Sequence, residues 1–179
     1  QTELRTAFVE HGIGESEPEC DWLPEQYVLS EPWIAKDVEA GVLSKERITE
    51  ELQALGFKPG DKLDMPLGKL SGGWKMKIGL VRAKLMSADI MMLDEPTGHL
   101  DVANIAWLTD YINSLKTGPK PTTVIMTSHD SGFLEKTVTH ITHFQNRKLK
   151  VYKGSLSNFV EKVPEAKTYF ILKADKLKF

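Results

Sequence analysis

The 179-residue chain contains a single cysteine, Cys20, so no disulfide can close within it. It also lacks long apolar runs. The strongest, Ile90-Met91-Met92-Leu93, falls far short of the ~20 residues needed to cross a bilayer. Its first residues lack the basic-then-apolar layout of a signal peptide, and these absences together predict a cytoplasmic protein with no membrane partner. Net charge is nearly absent too. The 23 Lys and Arg offset 25 Asp and Glu to leave −2, which excludes a uniformly basic nucleic-acid binder and an acidic disordered tail. No repeat or low-complexity tract is visible. What is present is 41% apolar and 8% aromatic, ordinary for a globular chain long enough to bury a core.

The near-neutral sum conceals a gradient. Residues 1–64 carry 6 basic and 15 acidic side chains, residues 65–144 carry 8 and 7, and residues 145–179 carry 9 and 3. Along this gradient, Leu4 to Val9 reads as a short strand, followed by an acidic loop with Glu15, Glu17, Pro18, Glu19, Asp21 and Pro24. Ile48, Leu52 and Leu55 recur at helical spacing after Ser44 and stop at Gly56. Trp74, Ile78, Val81 and Leu85 give a second helical face, with Lys75, Lys77, Arg82 and Lys84 largely off it. Ile90–Leu93 reads as a strand buried on both sides of a parallel sheet, and Thr123–Met126 as a second apolar strand. Val102, Ile105, Leu108, Ile112 and Leu115 mark a helix between them, and residues 139–144 and 148–152 are candidate hairpin strands. The last 25 residues read as helical and basic. This alternation predicts an α/β fold.

In open parallel sheets, ligands bind beyond the carboxyl ends of the strands, where loops and helix N-termini converge. Two expected strands end in polar clusters, Asp94-Glu95 and Thr127-Ser128-His129-Asp130. Two adjacent carboxylates straight after a buried strand are costly unless they meet a cation or polar ligand, and Mg2+ with a nucleotide meets that need. Asp94 would hold the metal's water shell, Glu95 would take a proton from an attacking water, and His129 would reach the terminal phosphate. The plainer alternative is that the carboxylates cap a turn and His129 packs in a loop. Leu70-Ser71-Gly72-Gly73 opens the long helix with backbone amides that a phosphate could approach. Alone it reads equally well as a helix N-cap with a flexible entry. His140 and His143, three apart in a strand, point to opposite faces and make a poor metal pair. Trp33 and Trp107 read as packing residues rather than base-stacking platforms. Lys148, Lys150, Lys153, Lys162, Lys167, Lys173, Lys176 and Lys178 could meet RNA phosphates or simply be solvated.

Taken in order, Leu70-Ser71-Gly72-Gly73, then Ile90 to Thr97 with Asp94-Glu95, then Leu100-Asp101, then Thr127 to Asp130 resemble the signature, Walker B, D-loop and switch-histidine series of ABC-type ATPases. The closer likeness is to the elongation factor 3 family, the two-cassette ABC ATPases of the translating ribosome. It rests on Ser71-Gly72-Gly73-Trp74-Lys75-Met76-Lys77, with Trp74 where most ABC proteins have Gln, on Phe8-Val9-Glu10-His11 at the Q-loop, and on Tyr152-Lys153-Gly154 with the basic stretch after it. The pattern looks like the later part of that family's first cassette.

The resemblance implies ATP and Mg2+ as cofactors. It makes Asp94 the metal-side carboxylate, Glu95 the base for water and His129 the γ-phosphate sensor. Asp101 would contact the second ABC cassette of the same chain, and Ser71, Gly72 and Gly73 would bind the γ-phosphate of ATP held by that other cassette. His11 stands where most ABC proteins carry the Q-loop Gln, and Gly98 where related ribosomal proteins carry Asn. The implied activity is ATP hydrolysis driving a ribosomal elongation step, release of exit-site tRNA, with ribosome and tRNA as partners. The expected fold class is a partial P-loop NTPase (ABC ATPase) core with a helical insertion and a basic helical C-terminal extension. Its expected segments are a strand and Q-loop region (1–11), a helical subdomain with the signature (12–88), an α/β core with Walker B, D-loop and switch histidine (89–154), and the extension or linker (155–179).

The phosphate-cradling pattern G-x-x-x-x-G-K-[ST] is absent, since the only Gly-Lys, Gly68-Lys69, is followed by Leu70. In the family that loop precedes the strand on which this chain starts, so the 179 residues are expected to bind ATP weakly and not to hydrolyse it alone. Two alternatives stand beside this reading: a nucleotide-binding subunit of an ABC transporter, and a non-catalytic module on the same fold.

Overall fold

Three short apolar stretches pair as a parallel sheet in the computed structural model, which describes residues 4–9, 18–98, 100–117 and 121–167. Strands β1 (Thr6–Val9), β2 (Ile90–Leu93) and β3 (Thr123–Met126) lie in that order, with Ala7 opposite Met91 and Met91 opposite Val124. Because strand side chains alternate, Ala7, Val9, Met91 and Leu93 share one face and are buried. Phe8, Met92 and Ile125 form a row on the opposite face, where Phe8 is 58% and Ile125 59% exposed. The sequence predicts β2 as buried on both sides and β3 as a second apolar strand. β2, the central strand, comes near this expectation, and its residues alternate between buried and half-buried. β3 alternates exposed and half-buried residues, because among the described residues it is an edge strand with one open face.

The chain divides by its contacts into two units, residues 1–100 with 119–127 and residues 101–118 with 128–179. Among the described residues, the first holds the sheet and four α-helices: α1 (Pro24–Leu29), α2 (Pro32–Glu39), α3 (Lys45–Ala54) and α4 (Gly72–Leu85). α1 begins at Pro24, the end of the stretch read as an acidic loop, and α2 follows where spacing assigns no element, both within the expected helical subdomain. Each starts with proline at its first position, where the fixed φ and missing N–H cost nothing. Ser44 caps α3 as expected, accepting from the Arg47 amide at 3.2 Å. α3 stops at Gly56, whose φ of +94° suits glycine at a helix end, and the Phe57 amide then donates to Leu52 O at 3.2 Å.

Val28, Ile34, Ile48, Leu52, Phe57 and Leu67 are buried with Met76, Ile78, Leu80 and Val81 of α4. α4 is therefore covered around more of its girth than the Trp74, Ile78, Val81, Leu85 stripe predicts. It lies against β1 at Gly79, where a Cβ would sit 2.9 Å from Val9 Cγ1. Ion pairs tie the helices together: Arg82 with Glu31, and the buried Glu51 with both Arg47 and Lys84. Two partners satisfy a carboxylate that would otherwise be costly to bury.

The second unit contains α5 (Val102–Ser114), α6 (Ser131–Thr137), the antiparallel pair β4 (His140–Gln145) and β5 (Lys148–Lys153), and α7 (Leu156–Lys162). Asn146 and Arg147 both have positive φ, 53° and 59°, as a two-residue type I′ hairpin turn requires. α5 buries Leu108 and Ile112 as its spacing predicts, whereas Val102 at its first turn is exposed. Leu156, Phe159, Val160, Val163 and Ala166 pack with Leu134, Ile141 and Tyr152, so residues 155–167 form part of this unit's core. The hairpin's other face carries Phe144, Leu149 and Val151, all about two-thirds exposed. Residues 168–179, with Lys173, Lys176 and Lys178 of the expected basic helix, lie outside the described residues.

Candidate functional site

The ladder of the parallel sheet runs one residue past its strands. The Asp94 amide donates to Val9 O at 3.1 Å, and the Thr127 amide donates to Leu93 O at 3.0 Å. Continuing the Leu93–Met126 register makes Asp94 and Thr127 lateral neighbours at the carboxyl edge. There the Thr127 hydroxyl donates to Asp94 Oδ1 at 2.7 Å and accepts from the Glu95 amide at 3.1 Å. Glu95 itself has φ +44°, a left-handed backbone that a glutamate adopts only where its surroundings impose it. Pro96 is buried behind it, and a turn closes with Gly98 N to Glu95 O at 3.0 Å.

Asp94 is exposed at the sheet edge, and its bond to Thr127 engages one carboxylate oxygen. Among the described residues no group of three or more His, Cys, Asp or Glu could hold a metal ion. A lone carboxylate at a strand end fits a Mg2+ ion that keeps several waters and takes its remaining ligands from substrate phosphates. It does not fit an all-protein cage.

Ser71 is the N-cap residue of the 14-residue α4, yet its side chain makes no cap hydrogen bond. Ser44, Asp101 and Ser155 each cap their own helix through the side chain. The first amides of α4, those of Gly72 and Gly73, thus open toward the surface without help from Ser71, as an anion-binding helix start requires. Trp74, in its first turn, is held from below: Phe57 meets it edge-to-face at 4.8 Å, and Lys77 Nζ lies 4.2 Å above its ring while donating to Leu55 O at 3.2 Å. These contacts fix the Trp74 ring, and the sequence does not reveal them, since Phe57 belongs to a different turn.

Two expected site residues lie in the second unit. Asp101 caps α5, its Oδ1 accepting from the Asn104 amide at 2.8 Å. His129 is exposed just before Asp130, which caps α6 by accepting from the Gly132 and Phe133 amides at 2.9 and 3.0 Å. A cavity of about 300 Å³ beside it is lined by His129, Ser131, Leu134, His143, Phe144 and Phe159. His143 Nδ1 is shielded there without a hydrogen-bond partner. Its ring packs against Phe159 at 5.3 Å, while His140 belongs to the other face of the hairpin. The hairpin lysines divide likewise, Lys148 and Lys150 on the face toward α7 and Lys153 on the opposite one, so they form no single stripe. Trp33 lies under Arg5 at 4.8 Å and Trp107 stacks on Tyr111 at 5.6 Å, both as packing residues. His11 and the acidic residues Glu15 and Glu17 lie outside the described residues, as does His99.

The structure therefore joins Asp94, Glu95 and Thr127 in one hydrogen-bonded group and places Ser71, Gly72 and Gly73 at a helix start in the same unit. Thr127 is a member that motif reading leaves without a role. Its pairing with Asp94 depends on strand register, which no contiguous motif encodes.

Comparison with known proteins bears on this arrangement. The family described as ABC transporter matches residues 6–98. Elongation factor 3 of Phytophthora infestans is 48% identical over 177 residues, covering 99% of this chain and 16% of that protein. Elongation factor 3B of Saccharomyces cerevisiae is 42% identical over 179 residues, covering 100% of this chain and 16% of its own length. A solved ATP-binding subunit of an ABC transporter matches with TM-score 0.61 at 21% identity, over 88% of this chain and 62% of that one, a likeness of fold alone. The chain thus spans only 16% of the length of these curated relatives. No described helix is long and apolar enough to cross a membrane. The carboxylate pair at a parallel strand end, the open serine–glycine helix start and the match over more than half the chain agree: the chain belongs to the ABC transporter family and corresponds to the ABC region of elongation factor 3.

Proposed function

We propose that this chain is part of an ATP-hydrolysing cassette in an elongation factor 3-like protein, and that it couples ATP binding and hydrolysis to a ribosomal elongation step, release of exit-site tRNA. The observation that carries the proposal is the Asp94–Glu95–Thr127 group at the carboxyl edge of the parallel sheet. Bound Mg2+–ATP would supply the electrophilic phosphorus and neutralise phosphate charge. Asp94 would stand on the metal side. Glu95 would accept the proton of the attacking water, and His129 would donate to the γ-phosphate. Ser71, Gly72 and Gly73 would offer amides and a hydroxyl to the γ-phosphate of ATP held by a second cassette, and Asp101 would contact that cassette. His11, at the Q-loop position, would stand near this cassette's own metal and water. The exposed cations Arg147, Lys148, Lys150 and Lys153 of the hairpin are candidates for phosphate contacts on ribosomal RNA.

The test is Glu95→Gln in the protein that carries this chain. Ribosome-stimulated ATP turnover is expected to fall by ~10²-fold or more while ATP still binds, as loss of a general base predicts. Unchanged turnover removes Glu95 from the mechanism. Wild-type hydrolysis that ribosomes do not stimulate removes the ribosomal assignment and favours a transporter subunit.

A further inference from the structure

We propose that Thr127 is a positioning residue for both Walker B carboxylates, tying the end of β3 to the end of β2 through one hydroxyl. The assignment rests on the ATP-hydrolysing reading above. A threonine hydroxyl has one proton to give and two lone pairs to receive, and both capacities are used across the strand boundary. The proton goes to Asp94 Oδ1 at 2.7 Å, and a lone pair takes the Glu95 amide at 3.1 Å. The Thr127 backbone is itself fixed, because its amide donates to Leu93 O at 3.0 Å, while the Asp94 amide is fixed on Val9 O at 3.1 Å. The hydroxyl therefore sits on an anchored frame.

Two consequences follow. The donation goes to a carboxylate, and a hydrogen bond to a charged group is the stronger kind; it holds Asp94 in one orientation although the residue is exposed. The acceptance pins the peptide that leads into Glu95, where the backbone is at φ +44°. A left-handed glutamate persists only where neighbouring interactions over-determine it, and this bond is one of them. Any shift of the end of β3 reaches Asp94 and Glu95 together, because the same oxygen atom holds both.

The experiment compares Thr127→Val, which keeps the shape and deletes the hydroxyl, with Thr127→Ser, which keeps the hydroxyl, using Glu95→Gln as control, in the protein that carries this chain. Thr127→Val is expected to lower kcat for ATP about 10- to 100-fold, the scale of one lost hydrogen bond to a charged group, with KM for ATP changed less than threefold. Thr127→Ser should stay within about threefold of wild type. Independently of activity, hydrogen exchange in the peptide covering 94–98 should quicken about tenfold or more in Thr127→Val and stay near wild type in Thr127→Ser. Wild-type kcat and exchange in Thr127→Val overturn the proposal, as does an equal loss in both variants. If Glu95→Gln also leaves turnover intact, the hydrolytic reading fails, and the exchange measurement still decides whether the hydroxyl holds this peptide.

Discussion

Arg5 serves several acceptors at once. Its guanidinium donates to both carboxylate oxygens of Asp37, at 2.7 and 3.1 Å, and to Met86 O at 3.1 Å, while lying 4.8 Å from the Trp33 ring. Its amide donates to Asp89 Oδ2 at 2.9 Å. These bonds from Arg5 hold Asp37 below the usual carboxylate range, against the opposing effect of burial. A depressed carboxylate contributes stability at pH values above its unfolded pKa and loses it as pH falls through the folded value. Asp37→Asn is thus expected to cost about 1–2 kcal/mol at pH 7, with the gap to wild type closing as pH falls below about 4. Urea titrations at pH 7 and pH 3 check this, and an equal gap at both values would refute it. Residues differ in how legible they are. Asp94, Glu95 and Ser71–Gly73 can be read from sequence because each lies in a contiguous motif. The contacts of Thr127 and Trp74 cannot be read that way, because their partners are distant in sequence and only strand register or helix packing brings them near.

At the scale of elements, the junction of α4 with β1 is set by one missing side chain. Gly79→Ala would put a Cβ 2.9 Å from Val9 Cγ1, closer than real contacts allow, and Val9 is a buried, branched residue that cannot swing away. Overpacking of this kind typically costs about 1–3 kcal/mol, set against roughly 1 kcal/mol of better helix propensity. Gly79→Ala should therefore lower stability or leave it level rather than raise it. Val9→Ala combined with it should cost less than the sum of the two single changes, as contacting residues require. Thermal unfolding of the three variants measures this, and strict additivity would refute it. Because Val9 O also accepts the Asp94 amide, this junction supports the site. Elements with strong signals were legible: α3 from its cap and spacing, β2 from its apolar run, α5 from its period. α1 and α2 were not, because they are six and eight residues long, begin after Leu23 and Glu31 instead of good capping residues, and sit in acidic, proline-bearing sequence that also describes a loop.

At the scale of the whole molecule, the 179 residues contain no phosphate-cradling loop. Purified alone, they should show no ATP turnover above background, and a single-turnover assay giving the rate of the full protein would refute this. Among the described residues, the acidic side chains of the N-terminal third belong to the first unit and the basic hairpin to the second, so the gradient of charge along the sequence is also a division between units. The row Phe8–Met92–Ile125 on one sheet and the patch Phe144, Leu149 and Val151 on the other carry a practical consequence. Apolar side chains left exposed in neighbouring positions favour self-association of a preparation of this chain alone. It should elute earlier from a sizing column as its concentration rises, and Ile125→Thr with Phe144→Thr should suppress that trend while leaving the Asp94–Thr127 edge intact.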